Sequence, residues 1–277
     1  KRPFIRMDVL HEAMLKVIAG PEKKSRVVPL HARKLTAYHE AGHAVVIHAL
    51  PDHDPVHQIT IVPRGQAGGY TLSLPEEEHD NLSRKALLGM ITMALGGHAA
   101  EDVALDDIYT GSSSDLKRAT DLCRRMITQY GMSEKFGLMG LASVEHEYLN
   151  GRATLNCGDA TATEIDHEVM KMLKESYEQA KQMLCEHRKT LDKIAAFLIE
   201  RETITGKEFM EIFHEAEGTE GKEPEPAETA VEATQETPDA EPMTETALQE
   251  EEVTADPVSD TPEEKKVQEP VKEDSQE

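Results

Sequence analysis

Five consecutive residues, His39-Glu40-Ala41-Gly42-His43, hold the densest chemistry in this sequence. Two histidines four positions apart on a helix differ by only about 40° around the axis and about 6 Å along it, so both imidazoles can converge on one ion. Glu40, next to the first, is placed to take a proton from water that the ion activates, the general-base role in zinc peptidases. The chain is rich in histidine, 13 in all, and it contains its own controls. His11-Glu12, His146-Glu147, His167-Glu168 and His214-Glu215 are also His-Glu pairs, but none has a histidine three positions after the glutamate. They read as solvated helix faces.

A metal bound by protein needs a third side chain, and the spacing excludes two familiar solutions. Val46 and Ala49 stand where a metzincin has Gly and His, and His48, five residues beyond His43, points about 140° away around the helix. A thermolysin-like glutamate about 20 residues downstream is also missing, since no acidic residue occurs between Asp54 and Glu76. The acidic candidates that remain are Glu101, Asp102, Asp106, Asp107 and Asp115.

The elements that must position these groups are mostly helical. Apolar residues at helical spacing predict a helix within Phe4 to Gly20, stopped by Gly20-Pro21, and another from Ala32 to Leu50 that carries the His-Glu motif and ends at Pro51. The β-branched run Gln58 to Val62 and its partner Tyr70 to Leu74 predict a small sheet. Beyond Asp80 the pattern gives helices over Ser83 to Ala104 and Asp115 to Tyr130. A long helical stretch follows from Thr163 to Glu200 with a break near Arg188, then a short helix from Thr205 to Glu215. The fold class is therefore mainly α with a small β-sheet or hairpin.

Composition divides the chain. The whole has 277 residues and a formal net charge of -23, which excludes nucleic-acid binding by general basic attraction. From Gly218 to Glu277 there are 20 acidic and 4 basic side chains, seven prolines and no aromatic residue, the composition of a disordered acidic tail. Cys123, Cys157 and Cys185 form no CxxC pair and imply neither a disulfide framework nor a thiolate metal site. No apolar run reaches the roughly 18 residues of a membrane span. Lys1, not Met, opens the sequence, and the expectation is a piece of a longer protein.

Several further motifs occur in one order: Ile59-Thr60-Ile61-Val62-Pro63-Arg64-Gly65, Gly69-Tyr70-Thr71, Leu95-Gly96-Gly97, Ala99-Ala100-Glu101, Thr110-Gly111-Ser112-Ser113-Ser114-Asp115-Leu116, Ala119-Thr120 and Tyr130-Gly131-Met132-Ser133-Glu134. With the His-Glu motif they resemble the proteolytic domain of FtsH-type proteases, membrane-anchored ATP-dependent zinc endopeptidases in which a AAA+ ATPase module precedes the protease. The likeness covers nearly all of Ala19 to Phe213. It implies a zincin-like domain with an active-site helix and long C-terminal helices. His39, His43 and Asp115 would bind zinc, and Glu40 would be the general base in attack of a zinc-activated water on the peptide bond. Asp115 falls at the start of a predicted helix, where the dipole favours an ionised carboxylate. Glu101 is a candidate to brace a ligating imidazole.

The resemblance sets the remaining expectations. Residues 1-20 would end the lid of the preceding ATPase, 21-217 would be the protease and 218-277 the tail. The parent would be a homo-hexamer on the cytoplasmic side of a bacterial inner membrane, cutting unfolded or tagged polypeptides. ATP would serve only the missing motor, because no P-loop motif occurs in this sequence. The strand residues Ile59, Thr60, Ile61 and Val62 are candidates to hold an extended substrate by edge pairing. An alternative is a non-catalytic ring-forming module with a relic metal site, against which the intact Glu40 stands. The sequence departs from the resemblance at His98, where Arg is usual, at Ser114, where Asn is usual, and at Leu138, where Pro often follows Phe136-Gly137.

Overall fold

The computed structural model describes residues 5–18, 20–23, 28–51, 53–65, 67–75, 81–145 and 152–218. The expected acidic tail lies, from residue 219 onward, outside the described residues. Among the described residues seven α-helices and five short strands follow in the order α1 (Met7–Ile18), α2 (Leu30–Ala49), β1 (Val56–Thr60), β2 (Tyr70–Ser73), α3 (Arg84–Leu105), α4 (Ser113–Thr128), β3 (Ala142–Glu145), β4 (Arg152–Leu155), α5 (Asp159–Glu186), α6 (Arg188–Arg201), β5 (Thr203–Thr205) and α7 (Gly206–Glu217), with one 3-10 turn at Thr110–Ser112 just before α4. The helical stretches expected from apolar spacing are all present, with ends moved by a few residues.

Local signals explain most of those ends. Pro29 precedes α2 and Pro51 follows its C-cap Leu50, so proline bounds the helix on both sides. At the start of α3 the Ser83 hydroxyl accepts from the Ala86 N–H at 3.0 Å, a cap of the kind that contributes about 1 kcal/mol. Thr205 and Glu208 form a reciprocal capping box at α7. The break in the long C-terminal stretch falls at His187, one residue before the expected Arg188, where the backbone leaves helical geometry between α5 and α6.

Two apolar clusters share these helices. One gathers Ala41, Val45, Ile59, Leu191, Ile194, Leu198 and Phe209, joining α2, β1, α6 and α7. The other gathers Leu87, Ile91, Leu95, Cys123, Met126, Ile165 and Val169, joining α3, α4 and α5. Between the clusters α2 crosses α3 at very close range. A Cβ on Gly42 would lie 2.3 Å from the Ala100 Cβ and 2.7 Å from the Gly96 carbonyl oxygen, and one on Gly96 would lie 3.1 Å from the Gly42 oxygen. Only glycine permits this approach.

The sheet corrects one expectation. Its order is β2-β1-β5, both pairings antiparallel, so β1 is central and has a partner on each side. Ile59 pairs with Thr71 and Ile204, Thr60 pairs with Tyr70 and Thr203, and the Ile61 N–H donates to Glu202 O at 2.9 Å. The Val62 N–H is taken by the Thr60 hydroxyl at 3.2 Å. Ile59, Thr60, Ile61 and Val62 therefore offer no free edge to a substrate. The third strand, β5, was absent from the sequence reading because it is three residues long, squeezed between Glu202, whose φ is 64°, and the capping box of α7.

The N-terminal helix is tied to the body through a buried cation. Arg64 Nη1 and Nη2 donate to the two carboxylate oxygens of Glu12 on α1 at 3.2 and 3.0 Å. Backbone bonds from Lys23 N to Pro63 O and from Gly65 N to Pro21 O fasten the connector to the same loop.

Substituting Gly42 by Ala should cost about 1–3 kcal/mol, because the clash is with backbone and a neighbouring Cβ rather than a mobile tip. Urea unfolding would measure it, with Gly140→Ala as control; nothing lies within 4 Å of a Cβ built at that position. Equal stability of the two variants would refute the close-crossing account.

Candidate active site

Three elements supply the polar cluster. His39, Glu40 and His43 come from α2, Asp115 is the third residue of α4, and Thr71 comes from β2. Nε2 of His43 and Nε2 of His39 face each other at 3.1 Å. Asp115 Oδ2 lies 3.3 Å from the first ring and 3.8 Å from the second measured in chain order, at Nε2 of His39 and of His43. Ligands of a tetrahedral zinc ion with bonds of about 2.0–2.1 Å sit about 3.3 Å apart. The donor set, two neutral-imidazole nitrogens and a carboxylate, is one that zinc takes, and the three ligand atoms all fall within 4.8 Å of one another. Among the described residues this is the one group of three or more His, Cys, Asp or Glu side chains so arranged.

The far side of each ring is fixed. Nδ1 of His43 is bonded to the Met93 carbonyl at 2.8 Å, and Nδ1 of His39 to Glu101 Oε1 at 2.8 Å. Each bond directs Nε2 toward the cluster, which is how metal-binding histidines are oriented. The sequence left Glu101 open between ligand and brace; its carboxylate lies on the side of His39 away from the cluster, and its second oxygen accepts from Tyr109 N at 2.9 Å. The other acidic candidates are engaged elsewhere. Asp102 accepts from Tyr177 and Lys181, Asp106 is the left-handed C-cap of α3, and Asp107 bonds the Ile108 N–H. His48 packs on Phe213, with ring centroids 4.2 Å apart, on the α7 side of the helix.

Glycine makes room for the rings. A Cβ on Gly97 would stand 2.6 Å from both His39 Cε1 and His43 Nε2. The space that the imidazoles occupy is thus the space a side chain on α3 would fill.

Electrostatics matches a site that seeks a cation. Burial works against a charge on His39, but hydrogen bonds to Asp115 and Glu101 prevail and push it up to about 10. Burial, helped by repulsion from His39, holds His43 low, at about 4. Burial also opposes ionisation of Asp115, yet the His39 hydrogen bond and the charges of His43 and Arg118 keep its carboxyl below the usual range. The acidic side chains around His39 thus favour positive charge at the point where a metal ion would sit. Burial pushes the Glu40 carboxyl up to about 7, against the pull of His39 and of the Thr71 hydroxyl. That hydroxyl lies 2.9 Å from both Glu40 Oε2 and the Glu40 carbonyl oxygen, so the side chain of β2 orients the carboxylate of α2.

These groups floor a cleft of about 700 Å³ walled by Gly68, Gly69, Tyr70 and Ser73 on one side and Ser113, Ser114 and Arg118 on the other. β2 contributes Tyr70, Thr71 and Ser73 to its lining, and no described strand pairs with the outer edge of β2. Sequence reasoning missed the roles of Thr71, Met93 and Gly97. Thr71 stood within a recognised motif without a task, and a backbone carbonyl such as that of Met93 leaves no trace in a sequence.

Comparison with known proteins places residues 26–212 within the sequence profile of Peptidase family M41. The chain is 45% identical over 228 residues to an ATP-dependent zinc metalloprotease FtsH of Clostridium perfringens, covering 82% of this chain and 31% of that protein. It is 45% identical over 213 residues to ATP-dependent zinc metalloprotease FtsH 1 of a Thermoanaerobacter species, covering 76% and 35%. For the FtsH of Caldicellulosiruptor bescii the values are 44% over 214 residues, with 76% and 35% covered. The chain spans about a third of the length of these curated relatives.

Gly97→Ala should leave the helices folded while displacing both imidazoles, because the new methyl meets side-chain tips and not backbone. A zinc titration with circular dichroism as the folding control should show affinity lost at unchanged helicity; unchanged affinity would mean that the rings do not need this space.

Proposed function

The chain belongs to Peptidase family M41, and from that premise we propose that it is the peptide-cutting domain of a longer ATP-dependent zinc protease. The observation that carries the reading is the convergence of His39, His43 and Asp115 beside a buried, oriented Glu40. His39, His43 and Asp115 would hold the zinc ion, with Glu101 and the Met93 carbonyl fixing the two rings. Zinc in such a site supplies a Lewis acid that polarises a carbonyl and acidifies water.

The remaining work falls to Glu40. Its carboxylate accepts a proton from the water that attacks the carbonyl carbon, then delivers that proton to the amine nitrogen as the C–N bond breaks. Thr71 holds the carboxylate in place by its hydroxyl, and burial raises its proton affinity toward neutrality, where one group can both take and give a proton. The products are a carboxylic acid and an amine.

An extended polypeptide fits along the outer edge of β2, pairing through its backbone, and such pairing tolerates varied side chains. That suits unfolded polypeptides as substrates. The names of the relatives support an ATPase module in the parent, with zinc as the metal. A homo-hexameric assembly anchored at the cytoplasmic face of a bacterial inner membrane completes the proposal. No described helix is long and apolar enough to cross a membrane, so an anchor would belong to another part of the parent. Residues 1-20 would be the end of the ATPase lid that precedes the protease, and nothing in the structure favours the alternative of a non-catalytic ring module.

Glu40→Gln should keep zinc at about one ion per chain and lower peptide hydrolysis by at least ~100-fold, since only the base is lost. Retained hydrolysis at full zinc content would sink the mechanism. Asp115→Ala should lose most zinc affinity, whereas Glu101→Ala should weaken it by about 10 to 100-fold and still fill at saturating zinc. The reverse order in a zinc titration would exchange the roles of the two carboxylates.

A further inference from the structure

The segment that brings Asp115 into the cluster is held by α3 at two points. Glu101 takes the Tyr109 N–H, and three residues earlier on the same helix His98 Nδ1 lies 2.8 Å from the Ser112 hydroxyl oxygen. Ser112 is 1% exposed and immediately precedes α4, whose third residue is Asp115. Its side chain does not cap that helix. Its hydroxyl hydrogen goes instead to the Tyr109 carbonyl oxygen at 3.2 Å. A serine hydroxyl has one hydrogen, so toward His98 it can only accept. His98 must therefore carry a proton on Nδ1 and donate it.

We propose that His98 is a positioning residue for Asp115, setting the first turn of α4 through the Nδ1–H to Ser112 hydrogen bond. The inference rests on the reading of Asp115 as a metal ligand. An aspartate has the shortest acidic side chain, so a displacement of the backbone passes almost undiminished to its oxygens. Metal bonds hold within about 0.2 Å, and a turn that drifts by more than this loses the carboxylate from the ligand set. His98 thus completes a fixation of all three ligands by α3: the Met93 carbonyl on His43, Glu101 on His39, and His98 on the turn that bears Asp115.

Zinc affinity of the full chain, measured by competition with a chromophoric chelator at fixed pH, tests it. His98→Ala and Ser112→Ala should each weaken zinc binding by about 10-fold, and the double variant by no more than either alone. Thermal midpoints of the metal-free variants should stay close to that of the parent. His98→Asn, whose side-chain N–H falls where Nδ1–H lay, should restore affinity, whereas His98→Gln, which places its amide farther out, should not. Affinities of both alanine variants equal to the parent, additive effects in the double variant, or an asparagine variant as weak as the alanine one would overturn the proposal. Ser112→Ala removes a single oxygen and decides the matter if His98→Ala does not fold. Asp115→Ala separates this inference from the reading beneath it. Zinc retained in that variant overturns the ligand assignment and the inference with it, whereas zinc lost there but kept in His98→Ala and Ser112→Ala overturns the role of His98 alone.

Discussion

The close crossing of α2 over α3 governs the rest of the molecule. Where Gly42 meets Gly96 the two backbones touch without intervening side chains, and one residue further on Gly97 leaves the volume into which both imidazoles fold. Side chains of ordinary size would separate helices by 8–10 Å and place the rings out of reach of the α3 backbone. At the shorter distance the Met93 carbonyl and the Glu101 carboxylate both meet a ring nitrogen at hydrogen-bond distance. Packing and chemistry are thus set by the same three glycines.

A site built in this way concentrates charge where water is scarce. Glu40 is 5% exposed and Glu101 1%, yet each has a defined partner. Thr71 serves the first; His39 and the Tyr109 N–H serve the second. Removing one partner from such an arrangement would leave a desolvated carboxylate, which is costly in proportion to its burial. The polar groups therefore hold one another in place, and the apolar clusters on either side exclude solvent from their backs.

Much of this was legible in the sequence, for a physical reason. His39, Glu40 and His43 are neighbours on one helix, so their spacing alone fixes their relative geometry. The helices themselves followed from apolar periodicity over ten or more residues. Asp115 and Glu101 were not separable in that way, because their roles depend on how α3 and α4 sit against α2, a matter of tertiary packing. Residues Ile59 to Val62 read correctly as strand, but strand order is invisible to alternation. The partner that buries the second edge, β5, is too short to announce itself and lies more than 140 residues away in sequence.

The residues proposed to hold the metal are divided between α2 and the first turn of α4, with the bracing groups on the helix between them. No stretch of the chain shorter than His39 to Asp115 contains the cluster. A nascent or unfolding chain of this kind carries the letters of a protease without its chemistry. Folding is then the step that arms the site, and loss of the fold disarms it at once.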